Sequence, residues 1–380
     1  MFASLSAQAR RLLDGIPTLI DKTFPLPGRF RSALPSDVAE LSRLLTSGRG
    51  ERGLSYLGRP NLLSAYLRFF LPWNLYRLCR LLPGLNVTLA ANDRITDLGC
   101  GPLTLPAALY ICRPDLRPVP LEFYCIDRSG PALDAGKKFL AALTGENTPW
   151  KIHTVKGDIN TAQPKPAALV CAVNVFNEMY GDISRNGTEV LQRNAEKAAR
   201  LLAAHASASA AILVVEPGFP RCGEFIALLR TAFFKRRRPL SPCPHDTDCP
   251  LPGGTDGGKK RWCHFAFDTD DAPAALHRLS HAAGLPKERA VLSFLFTGPA
   301  DAPDATSDAG AANLRVISDA FPLPPNRFGR YCCSHEGLIL LAGTKTAIEQ
   351  TASGALITAV IKEDRDPKSG ALLAEEFTTE

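Results

Sequence analysis

From residue 94 onward, short apolar runs alternate with amphipathic segments, and this narrows the fold more than any other property of the 380-residue chain. Arg94–Leu98, Glu122–Ile126, Lys151–Val155, Leu169–Asn174 and Ala211–Glu216 read as strands. Helical spacing of apolar residues falls between them, near 103–112, 131–143, 188–205 and 221–234. Strands separated by helices run parallel, and a parallel sheet needs cover on both faces. The expectation is an α/β, Rossmann-like core over residues 91–235.

The flanks read differently. Residues 1–90 carry apolar residues at helical spacing, with Pro72 opening a helix that bears Trp73, Leu75, Tyr76, Leu78 and Leu82. Residues 236–270 form a cysteine-rich insertion. Residues 271–345 read as C-terminal strands that complete the sheet and supply a fourth cysteine, and 346–380 as a polar, mobile tail. With 45% hydrophobic and 22% charged residues the chain is of globular type, and no apolar run is long enough to span a membrane. A net charge of +6 favours an acidic partner such as RNA. Eleven cysteines are too few for a disulfide scaffold, and no signal peptide opens the chain, so reduced thiols are expected. The expected form is a cytoplasmic monomer of bacterial type, with the mitochondrial matrix as the alternative.

The first strand runs into Asp97-Leu98-Gly99-Cys100-Gly101-Pro102 and then a helix. Gly99 and Gly101 let the backbone approach a ligand, and the helix start offers free N–H groups. Asp127 ends the second strand, where an acid accepts from ribose hydroxyls, and Asp158 follows the third, within reach of a base. Together Asp97, Gly99, Gly101, Asp127, Asp158 and Asn174 resemble an S-adenosylmethionine pocket, although Leu103 stands where a third glycine is usual. Asn174, Asn177 and Glu178 after the fourth strand face the same crevice and are the candidates for catalysis, able to hold an amine or polarise a leaving proton. Caps for the next segment are the competing role.

Cys243 and Cys249 sit among Pro242, Pro244 and Pro250, followed by Cys263 and, much later, the adjacent Cys332 and Cys333. The spacing fits neither a pair of Cys-x2-Cys knuckles nor the Cys-x3-Cys-x2-Cys of radical enzymes. Thiolates among histidines and rigid prolines suit a bound centre: a four-iron, four-sulfur cluster on Cys243, Cys249, Cys263 and Cys333, with four-cysteine zinc or no metal as alternatives. His245, His264 and His335 are placed to support the ligands. Lys235, Arg236, Arg237 and Arg238, just upstream, form a candidate RNA phosphate contact or a solvated helix end.

In this order the Asp97-x-Gly-x-Gly loop, Glu216-Pro217-Gly218, the Cys243–Cys249 segment, Trp262-Cys263-His264-Phe265 and Cys333-Ser334-His335-Glu336-Gly337 resemble the methyltransferase-like assembly factors of the small ribosomal subunit. These are the mitochondrial small-subunit methyltransferase-like proteins and their bacterial relatives. Arg52, Tyr56-Leu57 and the stretch from Ala65 to Pro72 look like that family's helical entry. The resemblance covers roughly residues 50–345. It implies a methyltransferase fold that binds S-adenosylmethionine, a four-iron cluster on Cys243, Cys249, Cys263 and Cys333, and action on small-subunit ribosomal RNA or the pre-small subunit during assembly. A methyltransferase for a small molecule or protein, and an RNA-binding assembly factor without turnover, are the other readings.

Overall fold

The computed structural model describes residues 1–46, 48, 56–145, 148–180, 187–234, 236–251, 255–256, 259–260, 262–302 and 312–379. The N-terminal region is helical: α1 (Ala7–Thr23), α2 (Gly28–Arg31), α3 (Leu34–Leu45), α4 (Pro60–Ala65), a π-helical turn over Tyr66–Phe70, and α5 (Leu71–Leu81). Helix α1 starts at Ser6, whose hydroxyl accepts from the Ala9 N–H at 3.1 Å. It buries Ala9, Leu13, Ile16 and Ile20, the i, i+4, i+7 stripe of an amphipathic helix.

The core comes next as β1 (Arg94–Leu98), α6 (Thr104–Cys112), β2 (Glu122–Asp127), α7 (Gly130–Thr144), β3 (Lys151–Lys156), β4 (Ala167–Val173), α8 (Phe176–Met179), α9 (Thr188–His205), β5 (Ala206–Pro217) and α10 (Pro220–Phe233). Then come β6 (Arg237–Ser241), the two-residue strands β7 (Thr255–Asp256) and β8 (Lys259–Lys260), β9 (Phe265–Asp268), α11 (Ala274–Ala282) and β10 (Arg289–Pro299). The main sheet has the order β3-β2-β1-β4-β5-β10-β6, with β9 also on β10. Strands β1 to β5 are parallel, and β10 runs antiparallel to β5, β6 and β9. This is a Rossmann-like, doubly wound sheet. Its order reverses between β1 and β4, the position where such sheets open a ligand crevice.

Alternation along the strands divides the core in two. Ile95, Phe123, Cys125, Leu169 and Leu213 face the N-terminal helices, α6 and α7. Leu98, Ile126, Val170, Ile212 and Val214 face away, where α9 and α10 cover β4 and β5. The β3–β4 connection, residues 157–166, contains no helix, so the second face of β1, β2 and β3 lacks one.

The C-terminal part differs from the expectation of sheet-completing strands and a mobile tail. Of residues 271–345 only β10 joins the main sheet. The rest forms β11 (Ala312–Val316), β12 (Phe321–Leu323), β13 (Arg327–Ser334) and β14 (Gly337–Gly343), and the supposed tail forms α12 (Lys345–Gln350), β15 (Leu356–Arg365) and β16 (Leu372–Thr379). Pairing runs β11–β13–β14–β16–β15 and back to β11, with β14 and β16 parallel. This closed five-stranded circuit, with a helix between its third and fourth strands, is the architecture of an OB barrel. Its interior holds Leu314, Val316, Cys332, Ile339, Leu341, Ile348, Ile357 and Ala374. Closure gives β15 and β16 ladder partners, and the exposed Lys362, Glu363, Asp364 and Arg365 on β15 give the stretch its polar look.

Candidate functional site: a cofactor crevice and a thiol quartet

After β1 the backbone turns through left-handed conformations at Gly99 (φ 69°), Gly101 (φ 52°) and Leu103 (φ 56°) before α6 begins. A Cβ on Gly99 would sit 2.5 Å from Val175, whereas one on Gly101 would meet nothing nearer than the Tyr66 hydroxyl at 3.7 Å. The loop therefore closes on β4 at its first glycine and opens to the crevice at its second. Leu103 keeps the geometry of the usual third glycine, at a cost of about 1–2 kcal/mol, while its fully buried side chain recovers stability of similar size.

The acids converge on this turn. Asp127 accepts from the N–H groups of Gly101 (2.8 Å) and Ser129 (2.7 Å). Asp97 is buried beneath, and its Oδ2 has no partner among the described residues. Burial first, and the charge of Asp127 second, push its carboxyl up to about 8. Asp158 accepts from the N–H and the side-chain amide of Asn160, at 2.9 and 2.8 Å, and from Arg128. Asn174, in a left-handed conformation at the end of β4, donates its N–H to Val215 at 2.7 Å.

Glu216 at the end of β5 organises the segment that leaves β4. Its carboxylate accepts from the N–H groups of Phe176 (2.8 Å) and Asn177 (3.1 Å), and burial pushes it up to about 8. Asn177 is buried with its Oδ1 unpaired among the described residues. Glu178 accepts from the Tyr56 hydroxyl at 3.2 Å. Tyr56 and Tyr66, which read from sequence only as apolar positions in helical segments, bring the N-terminal region onto the crevice.

The raised acids make a pH prediction. Glu216, ordinarily near 4.5, holds its proton to about 8 in the fold, and Asp97 behaves alike from 3.8. Between these limits the native chain binds protons that the unfolded chain has released, so stability falls as pH rises through the window. Melting temperature is expected to drop across it and to drop less in Glu216→Gln. An equal slope in the variant would show that Glu216 does not carry the effect.

The second centre lies where the insertion meets the barrel. Cys243 and Cys249 follow β6, Cys263 precedes β9, and Cys333 lies on β13. Their thiols act on one another. Cys249 is pushed up to about 11, by burial and then Cys243, and Cys263 and Cys333 are raised by burial and then by Cys243 and Cys249. Cys332, the competing fourth position, points into the barrel core instead. His245 Nε2 is 3.1 Å from Cys333 Sγ, and its Nδ1 is 2.8 Å from the Thr247 hydroxyl. Burial above all lowers His245 to about 4, leaving a neutral imidazole at pH 7. Arg230 donates to the carbonyls of His245 and Thr247, and Arg315 to that of Pro242 at 2.7 Å. Ser293 donates to the Cys263 carbonyl at 2.8 Å. The segments that carry Cys243, Cys263 and Cys333 are thus held by a buried frame of Arg230, Arg315, Ser293 and His245.

Among the described residues, the ligand atoms of Asp97, Cys100 and Cys125 lie within 4.8 Å of one another, and no three of the quartet sulfurs do. A tetrahedral zinc with bonds of about 2.3 Å would need sulfurs about 3.8 Å apart. The quartet is spaced more widely than a single ion requires.

Of the basic run, Lys235 lies outside the described residues and Arg236 is exposed. Arg237 donates to Thr297 Oγ1 at 3.1 Å and to the Ala210 carbonyl, and Arg238 to the Ala302 carbonyl at 2.7 Å. With Arg230, these two line a cavity of about 280 Å³ beside the quartet. The run is therefore partly internal, because β6 begins at Arg237 and draws the two guanidinium groups against β10 and its turn.

The family model described as mitochondrial small ribosomal subunit Rsm22 matches residues 97–319. No curated protein matches the sequence significantly. Among solved structures the chain is similar to a geranyl diphosphate C-methyltransferase from Streptomyces coelicolor A3(2), at 9% identity over 59% of this chain and 78% of that one, TM-score 0.35. It is also similar to an S-adenosylmethionine-dependent methyltransferase from Thiobacillus denitrificans, at 14% identity over 60% and 91%, TM-score 0.35. A magnesium protoporphyrin IX methyltransferase from Synechocystis PCC 6803 gives 10% identity over 60% and 83%, TM-score 0.30.

Proposed function

The chain belongs to the mitochondrial small ribosomal subunit Rsm22 family, and on that premise we propose that it binds S-adenosylmethionine and a four-iron, four-sulfur cluster and acts on small-subunit ribosomal RNA during assembly. What supports the reading is that Cys243, Cys249 and Cys263 all act on the buried Cys333 thiol, in a chain whose doubly wound sheet carries the glycine turn at Gly99 and Gly101. The family description favours the mitochondrial matrix over the cytoplasm.

The residues fit both groups. In the crevice, Gly101 leaves room where a side chain would intrude, Asp127 would accept from ribose hydroxyls, and Asp158 would face the base. Asp97, protonated at neutral pH, would fix the loop from below. At the quartet, the wide spacing of the sulfurs favours a polynuclear centre over a single zinc ion. Such a centre supplies iron–thiolate bonds that cross-link the insertion to the barrel. His245, neutral and 3.1 Å from Cys333, would hydrogen-bond its sulfur, while Arg230 and Arg315 would offset the charge of the thiolates.

Asn174, Asn177 and Glu178 would orient a methyl acceptor. A second reading, cofactor and RNA binding without turnover, draws support from Glu178 already accepting from Tyr56 and from the burial of Asn177. Crosslinking to RNA in cells, then sequencing, tests the main reading, with Cys249→Ser as comparison. Reads at small-subunit ribosomal RNA that fall in the variant are expected, and their absence from the wild type would refute the RNA target. Transfer of labelled methyl from S-adenosylmethionine to that RNA separates the two readings. Arg236→Ala is expected to weaken RNA binding modestly and to reduce its salt slope by about 0.7–0.9, one phosphate contact. An unchanged slope would remove Arg236 from the interface.

A further inference from the structure

The face of β1, β2 and β3 beneath the helix-free 157–166 connection carries a second site. A cavity of about 360 Å³ lies between this face and the 157–166 connection, lined by Thr96, Tyr124, Val155, Lys156, Lys165 and His205 among others. Its volume is within the roughly 300–1,000 Å³ of small-ligand sites. Thr96 and His205 are each 1% exposed, and Thr96 Oγ1 and His205 Nε2 have no hydrogen-bond partner among the described residues. Buried polar atoms in folded proteins are nearly always satisfied, so two on one cavity wall point to a polar occupant.

The rest of the lining says which kind. The Tyr124 ring stacks on His153, with centroids 4.6 Å apart and planes at 22°. Lys165 Nζ is 4.1 Å from the Tyr124 centroid, and the Arg94 guanidinium carbon 5.0 Å. Lys156 adds a third cation and Lys151, 69% exposed, a fourth. The nearby acids are engaged: Glu122 by Arg94 (3.6 Å) and Lys151 (3.9 Å), Asp158 by Arg128 and Asn160. An aromatic platform, a hydroxyl that both donates and accepts, a ring nitrogen and a cationic rim match a nucleotide, with its base in the cavity and its phosphate on the lysines. An apolar peptide would leave Thr96 and His205 unsatisfied.

We propose that the face of β1–β3 left without a helix is a nucleotide-binding surface, and that its occupant is a nucleotide of a single RNA strand. This rests on the RNA reading above. Gly157 and Asp158 line the cavity, and Asp158 is also the acid set beside the cofactor crevice, so an RNA strand seated here would run past the open end of the cofactor pocket.

The test uses the full chain prepared without oxygen. Anisotropy of a fluorescein-labelled single-stranded RNA decamer is measured against salt, alongside direct calorimetry with AMP and UMP and with S-adenosylmethionine. Tyr124→Leu is expected to weaken RNA binding about tenfold, the loss of one stacked base. Lys156→Ala with Lys165→Ala is expected to lower the log–log salt slope by about 1.4, two phosphate contacts on a single strand. S-adenosylmethionine affinity stays unchanged in both. If Tyr124→Leu fails to fold, the lysine pair, at the cavity rim, carries the test. RNA bound by the wild type and equally by every variant overturns this inference and leaves the RNA reading standing. AMP or UMP binding that Tyr124→Leu abolishes, in a chain that ignores RNA, keeps the site, makes free nucleotide its source and refutes the RNA reading. Neither RNA nor nucleotide binding overturns both.

Discussion

Replacing Cys249 by serine is expected to strip iron and labile sulfide from the protein and to release the C-terminal barrel. A cluster on the quartet would close a loop of about 90 residues between Cys243 and Cys333, and a covalent closure of that length is worth about 4–5 kcal/mol in chain entropy alone. Metal–thiolate binding adds to this, since structural centres of this kind contribute folding free energy outright. Beyond the quartet, the barrel docks through Arg315, which donates to the Pro242 carbonyl at 2.7 Å, and through Arg289 of β10, whose guanidinium pairs with Asp319 at 2.7 Å. Melting should fall by many degrees, and limited proteolysis should cut within 312–379 at protease levels that spare the wild type. A Cys249→Ser protein with unchanged iron content and unchanged melting would contradict the cluster. A single zinc ion per wild-type chain would replace it with the four-cysteine alternative.

The second large effect is expected from Gly136 on α7. A Cβ built there lies 2.5 Å from the Pro102 carbonyl carbon and 2.8 Å from Pro102 Cα and Leu103 Cγ. Two of those atoms are backbone and cannot swing aside, so Gly136→Ala has to displace either the helix or the cofactor turn. Overpacking of this kind costs about 1–3 kcal/mol. Because the displaced turn is the one that sets the Gly101 N–H against Asp127 in the proposed cofactor pocket, S-adenosylmethionine affinity is expected to fall more than tenfold. Gly15→Ala is the control. It lies inside α1 with nothing within 4 Å of the new methyl, and should be neutral or stabilising by up to about 1 kcal/mol. Wild-type cofactor affinity in Gly136→Ala would show that the turn does not depend on this contact.

What the sequence discloses depends on the range of the interaction that decides each feature. Arg94–Leu98 and Thr188–His205 are bounded by local periodicity, and the expected and observed limits coincide. The barrel is hidden because its strands alternate inward and outward over a small interior, leaving 356–379 rich in Lys, Glu and Asp on the outer side. Gly136 looks like any helical glycine until α7 is laid against Pro102. Tyr56 and Tyr66 carry no local sign that they reach Glu178 and the Gly101 turn. Glu216 reads as the end of the fifth strand, and only the β4–β5 register brings it beneath the Phe176 and Asn177 amides. Arg237 and Arg238 read as a free basic patch because the sequence does not reveal that β6 pairs with β10.

The position of Cys333 on the second strand of the barrel circuit has a consequence for how the chain is made. Three of the four sulfurs leave the translating ribosome together, within 243–263, and the fourth emerges some seventy residues later. During that interval an exposed thiol trio has no completing partner, and β13 must first be paired with β11 and β14 before its sulfur is presented. Loading of an inorganic centre would therefore report that synthesis has run past the barrel, and a chain truncated before residue 333 would emerge with its doubly wound half formed and its thiols open to capture by the wrong metal.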